Sequence, residues 1–126
     1  MSENKNTVLV VDNEKDLADS ISTALEHEGF SVLVENGGKP GLATTLREHP
    51  DMILLDIEMP DMTGIEVLKE LRKDDWGRNV TVVIMTVVDD FQKIAEVVEN
   101  KGDAYILKND LDLFTLVELV REKIGS

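Results

Sequence analysis

Four residues of this chain stand directly behind apolar runs, and their side chains are those that phosphoryl chemistry needs. Asp12 follows Thr7-Val8-Leu9-Val10-Val11, and Asp56 follows Met52-Ile53-Leu54-Leu55. Thr86 follows Val80 to Met85, and Lys108 follows Ala104-Tyr105-Ile106-Leu107. An unbroken apolar run of this length suits a strand buried on both faces. A carboxylate straight after one is expected at the strand's open end, not in the sheet, because an unpaired charge inside is costly. Asp56 is the candidate nucleophile that accepts a phosphoryl group. A carboxylate attacking phosphorus needs its own charge, and that of the incoming group, offset by a cation. Magnesium takes one or two protein carboxylates with carbonyl oxygens and waters, and Asp12 and Asp56 can supply the carboxylates. Lys108 can neutralise one phosphate oxygen and the Thr86 hydroxyl can donate to another. Each residue alone has a plain alternative: Asp12 and Asn13 capping a helix, Thr86 closing a turn, Lys108 solvated. The four together point to a site. That reading requires Asp12 and Asp56 to reach one shared ion, and Asp56 to be open to solvent.

The elements that must position these residues alternate strictly. Strands are expected at Thr7–Val11, Phe30–Val34, Met52–Leu55, Val80–Met85 and Ala104–Leu107. A first helix carries Leu17, Ala18, Ile21, Ala24 and Leu25 at helical spacing and closes at Gly29. After the Gly37-Gly38 turn, Pro40 suits the first turn of a second helix that runs to about His49. Thr63-Gly64-Ile65-Glu66 has the spacing of a capping box for a third helix, with Ile65, Leu68 and Leu71 inward. A polar loop from Asp74 to Asn79 carries Trp76. Asp89 or Asp90 can cap a fourth helix, with Phe91, Ile94, Ala95 and Val98 inward and Gly102 at its end. Asn109 or Asp110 can cap the last helix, which runs to about Ile124, where Arg121 and Lys123 suit its negative end. Five strand–helix pairs imply α/β architecture: one five-stranded parallel sheet with helices on both faces and right-handed crossovers. Sites in such sheets lie outside the carboxyl ends of the strands.

With 126 residues the chain is expected to be a single domain over 1–126, with an ordered core at about 7–124 and a frayed tail from Met1 to Asn6. Cysteine is absent, which excludes disulfides and thiolate metal sites. The formal net charge of −13 disfavours direct contact with nucleic acid and suits divalent cations and basic partner surfaces. No run is long enough to span a membrane and there is no signal-peptide core, so the cytoplasm is the default compartment.

At this point the pattern resembles the receiver domains of two-component response regulators, the CheY-like proteins. The resemblance rests on Val10-Val11-Asp12-Asn13-Glu14, Leu54 to Gly64, Ile84-Met85-Thr86 and Gly102 to Lys108, and spans Thr7 to Ile124. It implies strand order 2-1-3-4-5, the order found in CheY. It also implies a phosphoacceptor that is not a turnover enzyme, loaded on Asp56 by a histidine kinase or a phosphotransfer protein. Magnesium, with manganese able to substitute, would be bound by Asp12, Asp56 and the Glu58 backbone carbonyl. Thr86 and Lys108 would hold the phosphoryl group, and Tyr105 would turn inward as Thr86 moves. The fourth helix, fifth strand and fifth helix would then present a changed face to a downstream effector protein or domain.

Three positions depart from the family. Asn13 stands where a second acidic residue is usual; its carbonyl oxygen can still ligate the metal, but losing one charge about 4 Å from a divalent ion forfeits roughly 2 kcal/mol even with water-like screening, so weaker magnesium binding is expected. Val87 follows Thr86 where a small residue is usual, and either crowds the phosphoryl pocket or points into the fourth helix. Asn109 follows Lys108 where proline is usual; a cis bond to Asn costs about 2.5–4 kcal/mol, so a trans bond is expected. Together these leave open a degenerate receiver that binds partners without phosphorylation. An aspartyl-nucleophile phosphatase fits less well, because Asp12-Asn13-Glu14 lacks the second Asp that such enzymes carry and no capping domain has room. A flavodoxin-like cofactor binder lacks its phosphate loop.

His27 and His49, near helix ends, read as surface or dipole-complementing residues. Met59, Met62 and Met85 read as packing and loop residues. The fifth helix is unusually apolar: either a partner or a second copy covers the excess, or it is modest exposed surface, and a homodimer through the fourth helix–fifth strand–fifth helix face is the expectation. Only Gly125 and Ser126 follow Ile124, so the chain is read as a stand-alone receiver or one cut from a longer protein.

Overall fold

Every apolar run becomes a strand of one sheet. The computed structural model describes residues 6–87 and 91–124, with Phe91 described by its backbone alone. β1 (Thr7–Val11), β2 (Ser31–Glu35), β3 (Met52–Asp56), β4 (Thr81–Thr86) and β5 (Ala104–Leu107) alternate with five helices. These are α1 (Lys15–His27), α2 (Gly38–Glu48), α3 (Gly64–Lys73), α4 (Phe91–Glu99) and α5 (Leu113–Ile124). The strands pair in parallel in the order β2-β1-β3-β4-β5, as expected.

Alternate residues of the central strands feed two cores. Leu9, Val11, Ile53, Leu55, Val82 and Ile84 face α3 and Val97 of α4. Val8, Val10, Met52, Leu54, Val83 and Met85 face Ala18, Ile21 and Leu25 of α1 and Leu116, Val117 and Val120 of α5. Both faces of the middle strands are therefore covered, which is why these runs are apolar throughout. Met59 and Met85 are buried and Met62 packs against the first core, as packing residues should. Among the described residues no helix is long and apolar enough to cross a membrane.

Helix boundaries follow local chemistry. The capping box forms: the Glu66 N–H donates to Thr63 Oγ1 at 3.2 Å and the Thr63 N–H to Glu66 Oε1 at 2.9 Å. Gly29 takes φ +98°, the left-handed turn that ends α1. Four expectations are corrected. β2 begins at Ser31, leaving Phe30 buried just ahead of it. In α4 the inward residue is Val97, 3% exposed, whereas Val98 is 67% exposed and Ala95 is exposed too. Valine, isoleucine and alanine at 94, 95, 97 and 98 offer two overlapping stripes; Gly102 selects one, because a Cβ there would lie 2.5 Å from Val97 Cγ1. A short 3-10 turn, Lys108–Asp110, delays α5, so its cap is Asp112 instead of Asn109 or Asp110. Asp112 accepts from the Phe114 N–H at 3.2 Å and from Thr115 Oγ1 at 3.0 Å. Finally, β3 runs one residue further than expected and takes Asp56 into the ladder opposite Met85. The α4 caps proposed at Asp89 and Asp90, the Phe91 side chain and the tail at 1–5 lie outside the described residues.

Two contacts at the amino edge of the sheet were not legible in the sequence. Arg72 is 12% exposed at its side chain. Its guanidinium donates to the carbonyls of Asn100 (3.1 Å), Gly77 (2.7 Å), Val80 (2.9 Å) and Lys101 (2.6 Å). It thereby ties α3 to the turns before β4 and β5. His49, at the left-handed end of α2, stacks on Trp76 with ring centroids 4.0 Å apart and planes 9° from parallel. Trp76 anchors its loop, and His49 is its platform.

Candidate phosphoacceptor site

The carboxyl ends of β1, β3, β4 and β5 share one rim, and the sequence-nominated residues meet there. Asp12 follows β1 and its N–H donates to the Glu35 carbonyl at 3.0 Å, which extends the β1–β2 pairing by one residue. Its side chain is turned inward, with the Glu14 N–H donating to Oδ1 at 2.8 Å. Asp56 repeats the device: the Glu58 N–H donates to its Oδ1 at 3.3 Å. Each carboxylate is thus fixed by the amide two residues on, and each turns Oδ2 to the centre of the rim. There the Lys108 ammonium lies 2.8 Å from Asp12 Oδ2, 3.3 Å from Asp56 Oδ2 and 2.8 Å from Glu14 Oε1. Thr86 closes β4, 1% exposed and opposite Leu107 in register.

The loop after β3 folds tightly back on this centre. Gly64 starts α3 where a Cβ would lie 2.2 Å from the Asp56 carbonyl oxygen; only glycine fits that approach. Asp61 in the same loop accepts from the N–H groups of Gly38 (3.0 Å) and Lys39 (2.9 Å) at the start of α2. Those two amides hold its carboxyl below the usual carboxylate range.

The electrostatics are those of crowded anions around one cation. Burial, and then the Asp12 carboxylate beside it, push Asp56 up to about 6; Lys108 and the Glu58 N–H pull back only in part. Burial lowers the Lys108 ammonium, but Asp12, Glu14 and Asp56 more than offset it and its pKa is raised. Asp56 was expected to be open to solvent. It is 1% exposed, a correction with a visible cause: the Lys108 side chain, itself 7% exposed, lies across it. Asp12 and Asp56 both reach the Lys108 ammonium.

The donor set fits a small divalent ion. Asp12 Oδ2 is fully buried and, apart from its ion pair with Lys108, has no hydrogen-bond partner. Near it, one terminal atom of the Asn13 amide lies 3.1 Å from Asp56 Oδ2 and 3.0 Å from the Glu58 carbonyl oxygen. Among the described residues no group of three His, Cys, Asp or Glu side chains is placed to hold a metal. Any ion here therefore relies on two carboxylates plus neutral oxygens, which is the habit of magnesium.

The remaining nominated residues are exposed. Val87 is 48% exposed beside Thr86, and Tyr105 is 41% exposed on β5. Asn109 is exposed in the 3-10 turn, and the described residues contain no cis peptide bond. The Glu58 side chain pairs with Lys93 of α4 at 2.9 Å. Sequence reasoning missed Glu14 as a partner of Lys108, although its place two residues after Asp12 put it on the same rim.

Comparison with known proteins agrees with this geometry. The family model for the response regulator receiver domain matches residues 8–121. The response regulator ArlR of Staphylococcus saprophyticus is 34% identical over 90% of this chain and 50% of its own length. The probable transcriptional regulatory protein TcrX of Mycobacterium tuberculosis is 36% identical over 81% of this chain and 43% of its own. The chain thus spans about half the length, or less, of these curated relatives. A CheY-like receiver domain from Methanospirillum hungatei superposes with a TM-score of 0.91 at 28% identity, over 97% of this chain and 95% of that one. An aspartate-lined rim on a 2-1-3-4-5 sheet, matched across nearly its full span, admits one assignment: the chain belongs to the response regulator receiver domain family.

Proposed function

We propose that this receiver domain takes a phosphoryl group from a phosphohistidine of a histidine kinase, or of a phosphotransfer protein, onto Asp56. The observation that carries the reading is the shared contact of Lys108 with Asp12 and Asp56, at 2.8 and 3.3 Å, on the rim that Thr86 also closes. A carboxylate oxygen of Asp56 attacks phosphorus, the bond from phosphorus to the histidine nitrogen breaks, and an acyl phosphate forms. Lys108 contacts Asp56 Oδ2, so it moves from there to a phosphoryl oxygen as the group arrives. It loses one anionic partner and gains another, while Asp12 and Glu14 hold its base of support. The Thr86 hydroxyl donates to a second phosphoryl oxygen. Asp12, Asp56, Asn13 and the Glu58 carbonyl are the groups that would hold magnesium, or manganese, in its place. When bound, that ion offsets the charge that two carboxylates and a phosphoryl group would otherwise concentrate at one point.

The displacement of Thr86 and Lys108 draws on the ends of β4 and β5 and shifts a two-state surface formed by α4, β5 and α5. Tyr105 turns from its exposed position toward the space that Thr86 leaves. The changed face meets a downstream effector, and a homodimer on the same face, where Val98 and Tyr105 are exposed, would be visible by light scattering after phosphorylation.

Intact mass after incubation with magnesium and a small phosphodonor tests the assignment. The wild type gains one phosphoryl group and Asp56→Ala gains none. No gain in the wild type, with a kinase as well as a small donor, would leave a phosphorylation-independent interaction module as the reading.

A further inference from the structure

A carboxamide presents a donor and an acceptor at two ends of nearly the same shape. At Asn13 that ambiguity falls on the cation site. One terminal atom of the amide lies 3.1 Å from Asp56 Oδ2 and 3.0 Å from the Glu58 carbonyl oxygen. Both neighbours only accept. With the nitrogen at that position, each of its two protons has a partner: one bond goes to the carboxylate and one to the carbonyl. With the oxygen there, three oxygens converge with no proton between them, an arrangement that only a cation makes favourable. The two states differ by half a turn about one side-chain bond, and Asn13 is exposed.

We propose that the Asn13 amide is a reversible plug of the cation site, its nitrogen bridging Asp56 and Glu58 when no ion is present and its oxygen replacing it when a divalent ion enters. The inference rests on the cation site of the preceding section. It adds that the rim is held in its loaded shape without an ion. An aspartate at the same position has no proton to offer and would bring a further negative charge beside Asp12 and Asp56. Asn13 therefore steadies the empty site and weakens the filled one, and the loop from Asp56 to Glu58 keeps one conformation in both.

Side-chain amide NMR decides the matter, with the Asn13 pair identified by its absence from Asn13→Asp. In chelator both protons should exchange with water about tenfold or more slowly relative to a free exposed amide, as two held protons would. Saturating magnesium should shift the pair and return it to free exchange. Free exchange in chelator overturns the proposal. So does an unmoved Asn13 pair while the backbone amides of Asp56 and Glu58 respond to magnesium. If no signal responds to magnesium at tens of millimolar, the cation site itself fails, and the plug fails with it. Thermal midpoints give a second test: Asn13→Asp should melt below the wild type in chelator and above it in magnesium. An unchanged order in the two conditions refutes the exchange.

Discussion

Replacing Asp56 with asparagine should stabilise the metal-free domain, with a pH dependence opposite to that of most carboxylates. Unfolded, this carboxyl titrates at its ordinary 3.8; folded, it is pushed up to about 6, first by burial and then by Asp12. Between those values the folded protein binds the proton more tightly than the unfolded chain does. Stability from this group is therefore present at low pH and is lost as pH rises through the window from 3.8 to about 6. A separation of that size corresponds to about 3 kcal/mol, and at 1% exposure there is little solvent to screen it. Asparagine carries no charge at any pH and relieves the opposition between Asp12 and Asp56, while Lys108 keeps Asp12 and Glu14 as partners. Asp56→Asn should thus exceed the wild type by up to about 3 kcal/mol at neutral pH and match it at about pH 4 and below. Urea unfolding in chelator, followed by circular dichroism across this range, measures the difference directly. A difference that is flat with pH, or a variant less stable at neutral pH, would refute the reasoning. Magnesium should close the gap by stabilising the wild type alone.

Asp61 should behave in the opposite sense. The amides at the start of α2 depress its carboxyl, so Asp61→Asn should cost stability at neutral pH, and that cost should vanish as pH falls below the ordinary carboxylate range and through the folded value; the same unfolding series reads it. Arg72→Met should destabilise by about 3 kcal/mol or more, because four carbonyls lose a charged donor together; thermal melts measure it, and a loss within 0.5 kcal/mol, as for a surface residue, would show that water replaces the guanidinium. Val87→Ala should accelerate phosphorylation by a small donor several-fold, read by mass spectrometry over time; unchanged rates would mean that this half-exposed side chain stays clear of the pocket.

The parallel sheet and the rim were legible because both follow from unbroken apolar runs and their polar ends, whereas the strand order came only from the resemblance to receiver domains. Four apolar runs that each end on a polar residue dictate a common edge once the sheet is parallel, and Asp12, Asp56, Thr86 and Lys108 all reach it. What escaped the sequence depended on distances that no period encodes. Arg72 gave no signal in the sequence, because its four carbonyl partners come from segments 5 to 29 residues away. The α4 face was rotated because Val97 and Val98 are equally apolar, and only the missing side chain of Gly102 separates them. The burial of Asp56 was missed for a related reason: an isolated carboxylate does belong in water, but Lys108, 52 residues on, brings its own charge to cover it.

The stacked rings at the foot of the sheet bear on how this protein can be watched. The chain has one tryptophan, and it rests on His49 at the amino edge, a full strand length from the acceptor aspartate, or about 17 Å for five residues. Its indole emission is expected to change when the domain melts and the stack opens. The same signal should hardly register the arrival of magnesium or phosphate at the far rim. A fluorimeter is accordingly a thermometer of this fold and a poor witness to its signalling.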